Sequence, residues 1–192
     1  MQDQVVFAVQ RGVANMKRRQ LIKASITGGL TLGLLGGGAV WLSIDSNKGA
    51  LTIEASLTIL KSLSNKPVSN LGKWNAYQVF THCAQSVEYS MSGYPEHKSN
   101  LFKNTVGQLA FSIFSAKGKM THKLSEPIPG APALALEKDI KLALHRLEKA
   151  LLAFKLYDGN LSPHFAYGEL SKKEYEIAHV LHLYNHLQEI KS

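Results

Sequence analysis

The sequence predicts an all-α protein, a bundle of antiparallel helices preceded by a separate N-terminal segment. Apolar residues recur at positions i, i+3, i+4 and i+7 in several windows, whereas the alternation typical of half-buried strands is absent. The chain has 192 residues, which suits one compact domain plus a tail. Its single cysteine, Cys83, excludes an intramolecular disulfide and any multi-cysteine metal site. A bound metal would therefore have to be held by histidines and carboxylates.

Three helical segments are predicted in the first half of the domain. The first covers about 51–63 and ends before the turn Asn65-Lys66-Pro67, where proline cannot continue a helix. Asn75 is a favourable N-cap for the second helix, which runs to about residue 91 and ends at Ser92-Gly93-Tyr94-Pro95. The third covers about 101–116 and is followed by Gly118, a residue type that often terminates helices.

Two further helices are predicted after a long irregular connection. Three prolines within 125–133 predict that connection, and long loops of this kind often form lids or binding loops. The fourth helix, about 136–157, carries one apolar stripe, formed by Ile140, Leu144, Leu147, Leu151 and Phe154. Ser171 and Glu174 have the spacing of a capping box, which predicts a fifth helix reaching nearly to Ser192. An antiparallel helix bundle is the natural outcome.

The formal net charge of +8 is concentrated at the front of the chain. Residues 1–39 hold five basic side chains and one acidic side chain, so half of the net charge lies there. The remainder is only mildly basic, and no predicted helix collects Lys and Arg on one face with the side chains that read bases. We therefore expect no nucleic-acid partner.

The N-terminal segment has the pattern of an export signal. Met16-Lys17-Arg18-Arg19-Gln20-Leu21-Ile22-Lys23 is a charged stretch, and the uncharged, glycine-rich residues 24–43 follow it. The pair Arg18-Arg19 with Leu21, Ile22 and Lys23 resembles a twin-arginine signal, which assigns residues 16–44 to a signal peptide. This assignment predicts the twin-arginine export machinery as a partner and a periplasmic or exported location. Such export carries folded proteins, often around a cofactor.

An uncleaved membrane anchor is the alternative for the same segment. About 20 apolar residues are enough to span a bilayer, and residues 24–44 have that length. Gly37 and Ala39 fit a small-x-small cleavage site, whereas Trp41 and Leu42 prolong the apolar run. An anchored protein would sit in the inner membrane and face the periplasm. Residues 1–15 precede the signal as a non-native or upstream extension, and the simplest account is that translation starts at Met16.

The last predicted helix places three histidines on one face. At 100° per residue, His179, His182 and His186 fall within a sector about 60° wide. His182 and His186 form an i, i+4 pair, the spacing that lets two imidazoles on one helix bind one metal ion. A third ligand has to come from another helix, and His82 lies inside the second predicted helix beside an apolar stripe. His145 lies away from the apolar stripe of its helix and is expected to be solvated.

Two sequence blocks resemble a known family. The segment from Trp74 to Pro95, which includes His82, is similar to the second-helix motif of the DinB/YfiT-like metalloenzyme superfamily, and most closely to its DUF1569 subfamily. The block Leu170-Ser171-Lys172-Lys173-Glu174-Tyr175 with the histidine-rich helix after it resembles that subfamily's Leu-Thr-x-Glu-Glu-Trp block. The resemblance implies a DinB-like four-helix bundle with an accessory helix over residues 48–192. It also implies a divalent metal bound by three histidines, which by position are His82, His182 and His186.

One departure concerns the last helix. Relatives commonly carry paired histidines followed by Arg or Leu-Arg near the final ligand, whereas here Asn185 precedes His186 and Leu187-Gln188 follows it. His179 is an alternative ligand or a hydrogen-bond donor behind the ligands. Tyr89, at −20° from His82 on the second helix, is a candidate to face the site, whereas Glu88 is poorly placed.

The implied site allows two classes of function. A metal on three neutral imidazoles keeps its charge and an open position, which suits a metal-dependent hydrolase or thiol transferase acting on a small molecule. The alternative is a non-catalytic bundle that binds a ligand or uses the metal structurally. Imidazole ligands suit zinc, nickel, copper or iron, so the metal is not specified. No catalytic residue is assigned. Cys83 is expected to be a buried apolar residue. The sequence leaves open whether the protein forms a homodimer.

Overall fold

The chain forms helices at the five places where the sequence predicts them. In the computed structural model, which describes residues 51–137 and 139–192, four of these are α1 (Ile53–Ser64), α2 (Ala76–Ser92), α5 (Ile140–Leu156) and α6 (Lys172–His186). The remaining one consists of α3 (Asn100–Phe102), a π-helical turn (Lys103–Gly107) and α4 (Gln108–Lys117), which follow one another without a break. The prediction of a mainly helical chain is confirmed. The leader at 16–44 and the extension at 1–15 lie outside the described residues.

The predicted caps fix the starts of the helices that carry the histidines. The Asn75 side chain accepts a hydrogen bond from the Gln78 N–H at 2.8 Å, and the Asn75 N–H donates to the Gln78 side chain at 3.0 Å. Ser171 and Glu174 form the same reciprocal capping box at the start of α6. Each box satisfies two backbone donors that the first helical turn leaves free. Asp139 caps α5, which therefore begins four residues later than predicted.

The C-terminal end differs from the prediction. The last α-helix ends at His186, a 3₁₀ turn covers Leu187–Glu189, and Ile190–Lys191 form a short strand, β2. This strand pairs antiparallel with β1 (Ser69–Asn70). The predictions of a helix to residue 192 and of no strand are wrong here, because the terminal backbone pairs with a segment more than a hundred residues earlier in the chain.

The order of contacts along each helix gives the helix directions. Contacts join Gln78 to Leu134, just before α5, and Met91 to Tyr157, just after it, so α2 and α5 run in the same direction. Contacts between α2 and α6 run in opposite order, with His82 against His182 and Ser90 against His179. The expected antiparallel arrangement therefore holds for α2 with α6 but not for α2 with α5. The long connection before α5 returns the chain to the end where α2 begins.

Helix α2 lies at the centre of the packing and contacts both α5 and α6. Its residues 78–87 are all buried, which is expected of a helix covered on every side. The predicted stripe on α5 is buried at Leu144, Leu147, Leu151 and Phe154. Cys83 is 2% exposed and the His145 side chain 61%, which confirms the expectations for both residues. Within the described residues, no helix has the length and apolar character needed to cross a membrane.

Candidate metal centre

Helices α2 and α6 bring the three predicted histidines together. The Nε2 atom of His182 lies 3.1 Å from Nε2 of His82 and 3.1 Å from Nε2 of His186. The ring centroids are 4.8–5.0 Å apart for all three pairs. One nitrogen from each ring lies within 4.8 Å of the other two, close enough for a single ion to contact all three.

Burial keeps these rings neutral. His82 and His186 are 3% and 1% exposed, and His182 is partly buried. Burial, with neighbouring imidazoles adding to it, lowers the pKa of His82 to about 3 and that of His186 to about 2. It also lowers the pKa of His182 well below its ordinary value, with the nearby histidines contributing. Neutral imidazoles have a free lone pair, which is the form that binds metals.

The donor geometry fits a metal ion. Two nitrogens bound at about 2.0–2.1 Å to one ion lie about 2.9–3.4 Å apart in octahedral or tetrahedral arrangements. Both measured separations of 3.1 Å lie in that range. Hydrogen bonding alone satisfies the three nitrogens poorly, because the single lone pair or hydrogen on His182 Nε2 has to serve two neighbours. A cation that accepts all three lone pairs removes this conflict.

The rings are oriented mainly by packing. The Nδ1 atoms of His82 and His186 are buried and have no hydrogen-bond partner in the protein. Trp74, just before α2, lies against both rings, with centroids 5.0 Å from His82 and 6.2 Å from His186. The indole is nearly parallel to the His186 ring, at 10°. Trp74 therefore takes over the orienting role that a carboxylate or carbonyl plays behind most metal-binding histidines.

His179 shares the face of α6 but not the site. Its Nε2 lies 3.2 Å from Ser90 Oγ, and its ring contacts Phe154 and Tyr175. His179 precedes His182 by three positions, which places it about 4.5 Å away along the helix axis. Ser90 already donates to the Val87 carbonyl at 2.6 Å, so His179 is the donor in their contact. The structure thus gives His179 a role in core packing.

The other two residues considered on α2 also lie elsewhere. Tyr89 is partly buried and packs against Tyr94, with ring centroids 5.9 Å apart. Glu88 forms a bidentate pair with Arg146 on α5, with N–O distances of 2.9 and 2.7 Å. The expectation that Tyr89 faces the site receives no support from these contacts, whereas the poor placement of Glu88 is borne out. Among the described residues, no Asp or Glu hydrogen-bonds to His82, His182 or His186.

A fourth histidine lies beside the three. The ring of His122, from the loop between α4 and α5, lies 5.0 Å from His182 and 5.1 Å from His186 by centroid distance. Its Nδ1 lies 2.9 Å from the Lys123 carbonyl oxygen. Sequence reasoning missed His122 because helical spacing locates only residues on helices. The sole signal was the presence of a histidine close to the proline-rich connection.

One cavity is lined by residues close in sequence to the site residues, although none of the histidines lines it. It has a volume of about 400 Å³ and is lined by Leu71, Gly72, Lys73, Leu124, Ser125 and Glu189. These residues lie within three positions of Trp74, His122 and His186 along the chain. The volume suits a small molecule. Lys73 and Glu189 offer one charge of each sign at its wall.

Comparison with known proteins identifies a family. Residues 48–192 match the family described as "Protein of unknown function (DUF1569)", which confirms that part of the resemblance seen in the sequence. The match covers more than half of the chain, so the chain belongs to this family. No curated protein and no solved structure shows significant similarity to it.

Proposed function

We propose that this member of the DUF1569 family binds one divalent metal ion through His82, His182 and His186 and uses it to act on a small molecule. The reaction class that fits best is hydrolysis or thiol transfer. The single observation that carries the proposal is the convergence of three neutral imidazole nitrogens, two pairs of them 3.1 Å apart, in a mostly buried position. A DinB-like four-helix bundle around this centre is part of the same proposal.

The metal would supply Lewis acidity. A divalent ion on three neutral ligands lowers the pKa of bound water toward neutrality and deprotonates a bound thiol. Zinc, nickel, copper and iron all accept imidazole ligands, so the donor set leaves the metal open. The protein's task is to keep the three rings neutral and oriented, which burial and Trp74 accomplish.

The cavity lined by Lys73 and Glu189 is the proposed substrate position. Its lining residues adjoin the segments that hold the histidines, and its volume of about 400 Å³ accommodates a small molecule. Lys73 is exposed and can pair with an anionic group of a substrate, while Glu189 can receive a cationic group or a proton. The apolar side chains Leu71 and Leu124 contribute to the same lining.

A non-catalytic role is the alternative, and one observation favours it. No carboxylate among the described residues hydrogen-bonds to the three histidines, so none is held directly against the proposed ligands. In that case the ion would stabilise the packing of α2 against α6, or would hold a ligand without changing it. Both candidate functions use the same metal site. They differ in whether a molecule bound in the cavity is converted or is only held.

Metal analysis tests the site directly. The purified full-length chain is expected to bind about one zinc or other divalent ion per molecule, and His82→Ala and His186→Ala are expected to lose it. His145→Ala is the matched control, because His145 is exposed and on another helix. Wild-type protein without stoichiometric metal after reconstitution would overturn the proposal. If metal is present, Lys73→Ala and Glu189→Gln distinguish the enzyme from the non-catalytic bundle. These substitutions at the cavity reduce the rate of substrate turnover in an enzyme, whereas a non-catalytic protein has no turnover to lose.

We also propose that residues 16–44 direct the protein to the twin-arginine export machinery. The support is the Arg18-Arg19 pair followed by an apolar, glycine-rich segment. Fractionation of cells that express the full chain is expected to place it in the periplasm or on the periplasmic side of the inner membrane. Conversion of both arginines to lysine is expected to retain it in the cytoplasm. Equal export of the double variant would contradict this proposal.

A further inference from the structure

The loop between α4 and α5 is fixed to the histidine cluster at one point. Asn185, next to His186 on α6, is 4% exposed and reaches the backbone of this loop. With its amide nitrogen toward Met120 and its oxygen toward His122, it donates to the Met120 carbonyl at 3.0 Å and accepts from the His122 N–H at 3.2 Å. Met120 itself is buried, at 3% exposure. Asn185 therefore fastens the backbone of His122 to the helix that carries two of the three metal ligands.

The His122 side chain has the hydrogen bonding expected of a metal ligand. A carbonyl oxygen only accepts, so the contact between Nδ1 and the Lys123 carbonyl at 2.9 Å places the hydrogen on Nδ1. In the neutral ring, Nε2 then carries a free lone pair. Metal-binding histidines almost always donate their other N–H to a carbonyl or carboxylate in this way. Neither His82 nor His186 makes such a hydrogen bond.

The His122 ring lies against two members of the cluster, but its nitrogens are outside the group whose atoms lie within 4.8 Å of one another, so its Nε2 has to move toward the ion to bind. Its centroid distances of 5.0 and 5.1 Å to His182 and His186 match the 4.8–5.0 Å that separate the three ligands from one another. His122 therefore packs on the cluster much as its members pack together. It comes from a loop, whereas the other three come from helices, so it can approach or leave an ion without moving α2 or α6.

We propose that His122 is a fourth imidazole ligand, one that occupies the open position of the metal and is displaced when a substrate or inhibitor binds. This inference rests on the three-histidine site proposed above and adds its regulation. Four protein ligands close a metal site, and three leave a position for water or substrate. A ligand on a loop fastened by Asn185 allows the same centre to exist in both states.

Cobalt(II) binding to the metal-free full-length chain tests the inference, with azide as a small anion that competes for an open position. Wild-type protein is expected to bind Co²⁺ with an absorption spectrum that changes only at azide concentrations well above those that change the spectrum of His122→Ala, because azide has to displace His122. His122→Ala is expected to bind Co²⁺ about 10–100-fold more weakly. Its spectrum is expected to change on addition of azide, and added imidazole should restore the wild-type spectrum in His122→Gly. The matched control His145→Ala should behave as wild type.

A second variant distinguishes loss of the His122 ligand from misfolding of the protein. Asn185→Ala removes the attachment of the loop and leaves all four imidazoles in place, so the spectrum should become sensitive to azide while circular dichroism stays unchanged. If His122→Ala and wild type bind Co²⁺ equally and respond equally to azide, His122 is not a ligand and the inference is wrong. If wild type takes up no Co²⁺, or His82→Ala takes it up as tightly as wild type, the three-histidine site itself fails.

Discussion

The Nε2 atoms of His82 and His182 lie 3.1 Å apart, although the two residues are separated by 100 positions in the chain. Their contact requires α2 and α6 to pack side by side in opposite directions, with a common register. The same register places His179 against Ser90, which lies eight positions after His82 on α2. Small errors in this packing would separate these nitrogens, so the candidate metal centre depends on the packing of the core.

Trp74 is expected to control metal affinity without touching the metal. Its indole packs against His82 and His186, whose Nδ1 atoms have no hydrogen-bond partner in the protein to fix the rings. Trp74→Ala should weaken zinc binding about 10–100-fold, and Trp74→Phe should weaken it less, because loss of groups behind the ligands has effects of that size. Competition with a chromophoric chelator measures the affinities. Equal affinity in wild type and Trp74→Ala would show that the rings are fixed by other contacts.

His179 is expected to make stability dependent on pH. Burial lowers its pKa to about 3, whereas an unfolded histidine titrates near 6.5. Between pH 3 and pH 6.5 the unfolded chain binds a proton at this imidazole and the folded chain does not. The contribution of His179 to the free energy of unfolding is therefore fully present above pH 6.5, and it is lost progressively as the pH falls toward 3. His179→Leu should reduce the slope of unfolding free energy against pH by about 1.4 kcal/mol per pH unit in this window. Urea unfolding of metal-free protein at several pH values measures the slope.

The control for this experiment is His145→Leu, because the His145 side chain is 61% exposed. That variant should keep the wild-type slope. Only the change in slope matters, since either substitution can shift the absolute stability. An unchanged slope in His179→Leu would mean that His179 titrates alike in the folded and unfolded chains.

Gly107 is expected to tolerate no side chain. A Cβ atom at this position would lie 1.9 Å from the backbone carbonyl oxygen of Ala166, which cannot rotate away. Gly107→Ala should lower the free energy of unfolding by about 1–3 kcal/mol, although alanine is the better helix former in an open position. Ser112→Ala, an exposed substitution on α4, is the control and should change stability by less than about 0.5 kcal/mol. Thermal and urea denaturation compare the two, and a stabilised Gly107→Ala would contradict the packing seen here.

Cys83 is expected to be unreactive in the folded protein. The side chain is 2% exposed, and burial raises the pKa of its thiol, so both access and the reactive thiolate are suppressed. Alkylation at pH 8 should be slower in the native protein than in urea by about a thousandfold or more, since it has to follow opening of the core. Mass spectrometry after timed quenching measures both rates. Rapid native labelling would show that α2 is accessible.

Local patterns in the sequence predict most of the helices. Side-chain caps such as Asn75 and Ser171 act on residues three positions away, so their signal is contained in a short segment. The apolar stripe on α5 is equally local, because every turn of a helix repeats the same face. For the same reason, the i, i+4 spacing of His182 and His186 is enough to place both imidazoles on one side of α6.

Patterns within a short segment do not predict contacts between residues far apart in the chain. The chain ends in a short strand because Ile190 pairs with Asn70, and no periodicity within either segment predicts that pairing. The parallel course of α2 and α5 follows from the path of α3, α4 and the long connection that precedes α5. His179 lies on the same face of α6 as His182, as helical spacing predicts. Its position along the helix axis nevertheless places it against Ser90 and outside the cluster.

Patterns within the sequence are enough to predict the helical class, the capped starts of α2 and α6, the family and three of the histidines at the candidate site. Those features arise from interactions within a few residues, or from motif blocks in fixed order. Two features become visible only in the folded chain: Trp74 packs on two of the rings, and His122 lies beside them from a loop. Neither residue has a helical spacing relative to the cluster, and both reach it because the packing of α2 against α6 leaves room beside the imidazoles.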